Sequence, residues 1–226
     1  MNADAALAAL RAEADPDRAA QMRAYHKIDR PYLGLSNAVT GALANEWRTS
    51  TDLPARIALA RSLWDSDIFE ARIAAGKLFV QARIRPDDGL AWDWVQSIVA
   101  DFDSWGIADA VAQSGQKRVR QVPSRLDTLE AWTHSPHLWT RRAALVFALP
   151  FAKSRHPNAL ETEARRRILT WCERLSHDRE WFIQKAVAWW LRDLSKRDAA
   201  SVAAFLNTAR HDLKPWARRE AGKYLG

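Results

Sequence analysis

A short motif that returns at a nearly regular interval constrains the fold of this chain more than any other feature. The motif is an aromatic residue followed within a few positions by alanines and, in four of its five copies, by a basic residue. Its aromatic positions are separated by 36, 34, 43 and 34 residues and are Phe69, Trp105, Trp139, Phe182 and Trp216. Repeats of this length are typical of stacked helix pairs, which bury a shared core that no single pair could form. The sequence therefore predicts an array of helix pairs.

The hydrophobic pattern predicts an all-α fold. Apolar residues recur at three- and four-residue spacing, and alternating β-branched runs are missing. A further amphipathic segment precedes each motif, at residues 53–66, 89–103, 125–135, 159–177 and 199–211. Pro150 falls late in an apolar helical run and should end or kink that helix. We therefore predict one domain over residues 1–226, a HEAT-like helical-repeat solenoid (an α-α superhelix) of about five to six helix pairs.

Composition excludes several classes of protein. No apolar run approaches the roughly 18–20 residues that cross a bilayer. Residues 1–17 lack the features of a signal peptide and are predicted to form one amphipathic helix. The single cysteine, Cys172, excludes an internal disulfide and a cysteine-based metal site, and its apolar surroundings predict burial. His134 and His137 flank Pro136 without further ligands, so we expect no metal. The single cysteine is typical of a cytoplasmic protein. We also expect no cofactor and a monomer.

The distribution of charge points to a polyanionic partner. Residues 1–113 contain 12 Lys and Arg against 16 Asp and Glu, whereas residues 114–226 contain 22 against 11. Such asymmetry bears on binding partners rather than on fold. A basic surface that only maintains solubility is the alternative. The run Lys117–Arg120 is predicted to be a basic loop between repeats, and Arg165–Arg167 a solvated helix face.

Basic residues of four motif copies predict where DNA would bind. If the second helix of each pair lines one side of the array, cations at equivalent positions form a row that can meet successive phosphates. That row consists of Arg72, Arg142, Lys185 and Arg219. The alternative is that these side chains only decorate solvated helix faces.

The third motif copy carries an acid in place of the basic residue. Trp105 and Asp109 are four residues apart, so they share one face of a helix. Cleavage of the N-glycosidic bond of an alkylated purine develops positive charge on the sugar, which a carboxylate stabilises. Aromatic faces also favour cations, and Trp189, one turn after Lys185, is the second candidate indole. The alternative is that Asp109 pairs with an arginine and Trp105 fills the core, as we expect for Trp190.

At these residues the chain resembles the AlkD-type DNA alkylation-repair glycosylases, a HEAT-like family. The matching stretches keep the family's order over roughly residues 20–225 and are Arg23–Tyr25, Leu33–Leu35, Leu63–Asp65, Ser104–Asp109, Leu138–Ala144, Phe182–Ala186, Trp189 and Leu191–Arg192. The chain departs from the family pattern after Gly34, where the family commonly has Pro and then Arg.

The resemblance implies roles for individual residues. Asp109 would be the catalytic carboxylate, and Trp105 and Trp189 would contact the sugar of the damaged nucleotide. Arg142 would hold a nearby phosphate, and Tyr25 would help to close the N-terminal side. The reaction implied is removal of cationic N3- and N7-alkylated purines from duplex DNA without base flipping, which leaves an abasic site.

Three functions remain open from the sequence. The first is a monofunctional alkylpurine DNA glycosylase, in which Asp109 would be the catalytic carboxylate. The second is a non-catalytic HEAT-repeat binder of damaged or branched DNA, and the third is a protein-interaction scaffold. The preferred lesion, the tolerance of bulky adducts and the repair partners that follow lie beyond the sequence.

Overall fold

The computed structural model describes residues 1–208 and 210–225, and its regular structure there is entirely helical. Contacts between Cα atoms divide the chain into two compact units, residues 1–118 and 119–226. The prediction of one repeat domain over residues 1–226 therefore stays a prediction. Gly226, the last residue of that range, lies outside the described part of the chain.

The first unit contains six complete helices and most of a seventh. They are α1 (Ala3–Ala12), α2 (Pro16–His26), α3 (Asn37–Ser50), α4 (Leu53–Asp65), α5 (Phe69–Lys77), α6 (Gly89–Ser97) and α7 (Trp105–Gln121), with a 3-10 turn at Val99–Asp101. Side chains cap several of these helices, as when Asp15 accepts from the backbone N–H of Arg18 and Ser36 accepts from that of Val39. These caps fix where α2 and α3 begin.

The second unit continues the same pattern. Its helices are α8 (Leu126–Trp132), α9 (Leu138–Phe147), α10 (Leu149–Lys153), α11 (Ala159–Ser176), α12 (Trp181–Ser195), α13 (Ala199–Asn207) and α14 (Pro215–Ala221), with a 3-10 turn at Pro123–Arg125. Asn158 and Glu161 form a reciprocal capping box at the start of α11. The predicted helix 199–211 ends earlier, at Asn207, and its residue Ala209 lies outside the described residues.

The predicted repeat is confirmed in the order of the helices. Each aromatic residue of the motif stands at the first or second position of a helix, in α5, α7, α9, α12 and α14. The predicted preceding segments correspond to α4, α6, α8, α11 and α13, and helix α9 stops just before Leu149–Pro150 as expected. The all-α class and the organisation in helix pairs are therefore confirmed.

Small residues allow consecutive second helices to pack closely. A Cβ on Gly76 of α5 would lie 3.0 Å from the Cα of Val111 in α7, and Ser114 donates to the Gly76 carbonyl at 2.5 Å. In the second unit α12 packs against both α9 and α14. Trp190 and Cys172 are fully buried in this unit, as predicted.

Three local predictions are wrong. Residues 1–17 do not form one helix, because α1 ends at Ala12 and Asp15 caps a new helix that begins with Pro16. Residues 117–120 belong to helix α7 and are not a loop. Arg165 is buried rather than solvated, and it donates to the carbonyls of Phe151 and Ser154.

Candidate active site

A cavity of about 190 Å³ in the first unit is lined by both candidate residues of the third motif copy, the one that carries an acid. Trp105 and Asp109, one turn apart at the start of α7, both line it, so they share a helix face as predicted. The cavity is also lined by His26 at the end of α2 and by Asn37 and Thr40 at the start of α3. The cavity is therefore built from segments that are far apart in sequence.

Aromatic rings form one side of this cavity. Trp105 is half-buried, and Tyr25 meets it edge to face with ring centroids 6.0 Å apart. His26 lies against the same indole at 5.2 Å and against Phe69 at 4.6 Å. Tyr25 is 70% exposed, so its ring remains accessible to solvent next to Trp105. These rings offer π faces and edges to a ligand that enters the cavity.

The ionisable side chains of the cavity wall differ from the predicted row of basic residues. Among the described residues that line the cavity, the ionisable ones are Asp109 and His26, and no lysine or arginine occurs. Burial lowers the pKa of His26, and the nearby Glu70 carboxylate opposes that shift only in part. The lining therefore offers a carboxylate, an imidazole and aromatic rings to a ligand.

His26 is a residue that sequence reasoning missed. It stands directly after Tyr25, which the family resemblance singled out, but its own spacing matched no pattern. Its contact with α7 depends on Gly106, where a Cβ would lie 3.0 Å from the Cε1 of His26. The only sequence feature that could have pointed to His26 is its position next to Tyr25.

Trp189, the second candidate indole, is half-buried on α12 in the second unit. Its Nε1 donates to Asp193 at 3.0 Å, and the ammonium of Lys153 lies 5.8 Å from the ring centroid. Lys153 and Lys196 also lie 3.6 and 3.3 Å from the Asp193 carboxylate. Asp193, which the sequence analysis did not single out, therefore fixes the orientation of this indole.

The four cations of the predicted row occupy different environments. Arg72 pairs with Asp67 at 2.9 Å and lies over the ring of Trp64 at 4.7 Å. Arg142 is 2% exposed and donates to the Phe182 carbonyl at 3.1 Å. Lys185 and Arg219 are exposed, and the Lys185 ammonium lies 4.7 Å from the exposed Trp181 ring. Their contact with phosphates stays a prediction for all four.

Two kinds of feature are absent from the ranges 1–208 and 210–225, a cluster of metal ligands and a membrane-spanning helix. In these ranges no group of three or more His, Cys, Asp or Glu side chains is arranged to hold a metal ion. None of the helices there has the length and apolar character that a bilayer crossing requires. His137 instead contacts the hydroxyl of Thr140 through Nδ1 at 2.9 Å.

The paired helices define an all-helical repeat protein. Comparison with known proteins identifies its family. The family model described as "DNA alkylation repair enzyme" matches residues 6–225, so this chain belongs to that family. Among curated protein sequences no significant match was found.

Solved structures share the fold. A protein described as a predicted DNA alkylation repair enzyme from Enterococcus faecalis is similar with a TM-score of 0.74 and 23% identity, over 95% of this chain and 97% of that one. AlkD2 from Streptococcus mutans gives a TM-score of 0.62 and 20% identity, over 84% and 89%. The protein smu.31 from Streptococcus mutans UA159 gives 0.64 and 20%, over 83% and 92%.

Proposed function

We propose that this chain is a monofunctional DNA glycosylase that hydrolyses the N-glycosidic bond of cationic N3- and N7-alkylated purines in duplex DNA. The single observation that carries the proposal is the carboxylate of Asp109 beside the Trp105 indole on the wall of one cavity. Membership in the alkylation-repair family supports it. We expect the protein to act as a cytoplasmic monomer that needs neither metal nor cofactor.

The chemistry follows from where charge develops. As the bond between C1′ and N9 of the alkylated purine breaks, its electron pair stays on the base and neutralises the purine cation, while positive charge appears on the sugar. Asp109 stabilises that charge and accepts a proton from the water whose oxygen bonds to C1′. The products are the free base and an abasic site. The Trp105 ring adds attraction for the cationic sugar, about 0.5–2 kcal/mol for such a contact.

The remaining proposed contacts involve residues of both units. Trp189, oriented by Asp193, would contact the sugar of the damaged nucleotide. Arg142, Lys185, Arg72 and Arg219 would meet phosphates, with the exposed Lys185 and Arg219 the most accessible of the four. Tyr25 would cover the lesion from the N-terminal side.

Release of 7-methylguanine and 3-methyladenine from methylated duplex DNA tests the proposal. Asp109→Asn should reduce the single-turnover rate at least about a hundredfold, since one preorganised electrostatic contact contributes that much. The matched control is Asp93→Asn, which changes an exposed acid on α6 of the same unit and should release base like the wild type.

Two outcomes contradict the proposal in different ways. Equal release by the wild type and Asp109→Asn would remove Asp109 from the mechanism. Tight, salt-dependent DNA binding by a wild type that releases no base would instead identify a non-catalytic binder of damaged or branched DNA.

A further inference from the structure

His26 lies in the wall of the first-unit cavity. It is the last residue of α2, which ends because Lys27 adopts a left-handed backbone conformation with φ 57°. Its ring contacts Tyr25, Trp105 and Phe69, with centroids 5.1, 5.2 and 4.6 Å away. The imidazole differs from an apolar side chain in its two ring nitrogens, and their environments decide what the residue can bind.

The two ring nitrogens of the imidazole differ in their environments. Nδ1 is buried and has no hydrogen-bond partner in the described part of the chain. Nε2 is not among the buried unpartnered atoms, and no hydrogen bond to it is formed within the described residues, so it is open to solvent. Since the ring lines the cavity together with Asp109, Nε2 is the atom that can meet a ligand there.

The surroundings of His26 keep it uncharged near neutral pH. Burial is the larger influence and lowers its pKa, while Glu70 on α5 acts in the opposite direction. The other titratable groups nearby are Tyr25 on α2, Tyr32 in the following loop and Asp109, which lines the same cavity. A neutral ring can orient a polar molecule without adding positive charge where a sugar cation must form.

We propose that His26 is a positioning residue for the hydrolysis, binding the attacking water through Nε2 so that it lies between Asp109 and the sugar. This inference rests on the proposed glycosylase function. The water's proton still passes to Asp109 and then to solvent, so the imidazole keeps the same protonation state throughout. Protonated His26 would repel the developing cation, and activity should therefore fall as His26 becomes charged.

Single-turnover release of 7-methylguanine from a duplex oligonucleotide, measured from about pH 5 to about pH 8 and corrected for spontaneous release, tests this role. His26→Leu should lose about tenfold or more in rate with unchanged duplex affinity, because it removes water positioning but keeps an apolar wall. His26→Gln keeps a hydrogen-bonding group that cannot be protonated in this range.

The pH profile distinguishes positioning from packing. The wild-type rate should fall on acidification with an apparent pKa below the ordinary histidine value, since the neutral form is the active one. His26→Gln should retain most of the neutral-pH rate and lose that acid limb. The matched control, His156→Gln, changes an exposed histidine of the second unit and should keep the wild-type profile.

Each outcome is decisive. A wild-type rate for His26→Leu, or an acid limb that persists in His26→Gln, would overturn the role of His26 while leaving the glycosylase intact. A wild type that releases no base would overturn the proposed function and this inference together. A combined loss of rate and duplex affinity in both His26 variants, with lowered thermal stability, would assign the residue to packing.

Discussion

Glu70 is a buried acid that holds a loop rather than a ligand. It is 1% exposed, and its carboxylate accepts the backbone N–H groups of Leu33, Gly34 and Leu35 at 2.9, 2.8 and 3.3 Å. Gly34 has φ 85°, and a Cβ there would lie 2.1 Å from the carbonyl oxygen of Asp15. The loop between α2 and α3 is thereby fixed, and with it the cavity wall that follows.

Replacing Glu70 should destabilise the protein strongly. Glu70→Ala leaves three N–H groups without an acceptor, and we expect a loss of about 3 kcal/mol or more in the free energy of unfolding. Urea denaturation followed by circular dichroism measures this. Glu46→Ala, an exposed acid on α3, is the control and should change stability by at most about 0.5 kcal/mol. Equal stability of the two variants would contradict the role of Glu70.

Cys172 should react only slowly with thiol reagents in the folded protein. It is fully buried on α11, and burial raises the pKa of its thiol far above the usual range, so thiolate is scarce. Because the chain has one cysteine, labelling with a thiol reagent reports on this site alone. We expect slow labelling in buffer and complete labelling in denaturant, and rapid stoichiometric labelling of the native protein would refute burial.

At the scale of elements, α7 carries both the two candidate site residues and a buried arginine that anchors the helix. Its first turns present Trp105 and Asp109 to the cavity, and near its other end Arg118 is fully buried. Arg118 lies 3.4 Å from the Asp88 carboxylate and donates to the Gln81 carbonyl at 2.5 Å. The helix therefore joins the cavity to the segment before α6.

Replacing Arg118 should lower the free energy of unfolding far more than replacing a nearby arginine. Arg118→Leu removes the ion-pair partner of Asp88, which is 2% exposed, and we expect about 3–5 kcal/mol of destabilisation. Arg120→Leu changes an exposed residue whose distance to Glu161 is 3.9 Å, and should cost at most about 1 kcal/mol. Chemical denaturation compares the two, and similar losses would mean that Arg118 is not a buried anchor.

Gly106 should control where the neighbouring aromatic rings lie at the cavity, because it leaves room for them. A Cβ there would lie 2.9 Å from the Cζ of Phe69 and 3.0 Å from the Cε1 of His26, so Gly106→Ala must displace one or both rings. We expect base release to fall about tenfold through lost alignment, while the higher helix propensity of alanine limits the loss of stability. Gly222→Ala, whose nearest neighbour is 3.4 Å away, is the control. Full activity in Gly106→Ala would show that the rings need not be held there.

At the scale of the whole molecule, charge is divided unevenly between the two units. Residues 1–118 carry 14 Lys and Arg against 16 Asp and Glu, and residues 119–226 carry 20 against 11. Several of the cations in the second unit have protein partners, as when Arg141 pairs with Asp178 at 2.8 Å. The exposed cations, such as Lys185 and Arg219, are those most available to phosphate.

DNA affinity should depend steeply on salt, and the exposed cations should account for part of the slope. Lys185→Ala and Arg219→Ala should each reduce the slope of log affinity against log salt by about 1. Fluorescence anisotropy with a duplex oligonucleotide at several salt concentrations measures it. Arg166→Ala, an exposed residue of α11 paired with Glu163, should leave the slope unchanged. A wild-type slope in all three variants would exclude Lys185 and Arg219 from the interface.

The candidate site was predictable only where it lies on one helix. Trp105 and Asp109 are one turn apart, so their common face followed from helix geometry, and both line the cavity. His26 and Asn37 reach the same cavity from α2 and α3, and no local spacing relates them to α7. Asp193 was missed because its importance comes from the Trp189 indole that it holds.

Local periodicity determined the fold class, the order of the helix pairs and the residues with which the second helices begin, because three- and four-residue spacing is a property of neighbouring residues. Tertiary structure alone decided which of the similar arginines are buried. Arg118 and Arg120 are two residues apart on α7, yet one is fully buried against Asp88 and the other is exposed. A helical pattern gives each side chain a direction, but the environment in that direction is supplied by segments distant in sequence.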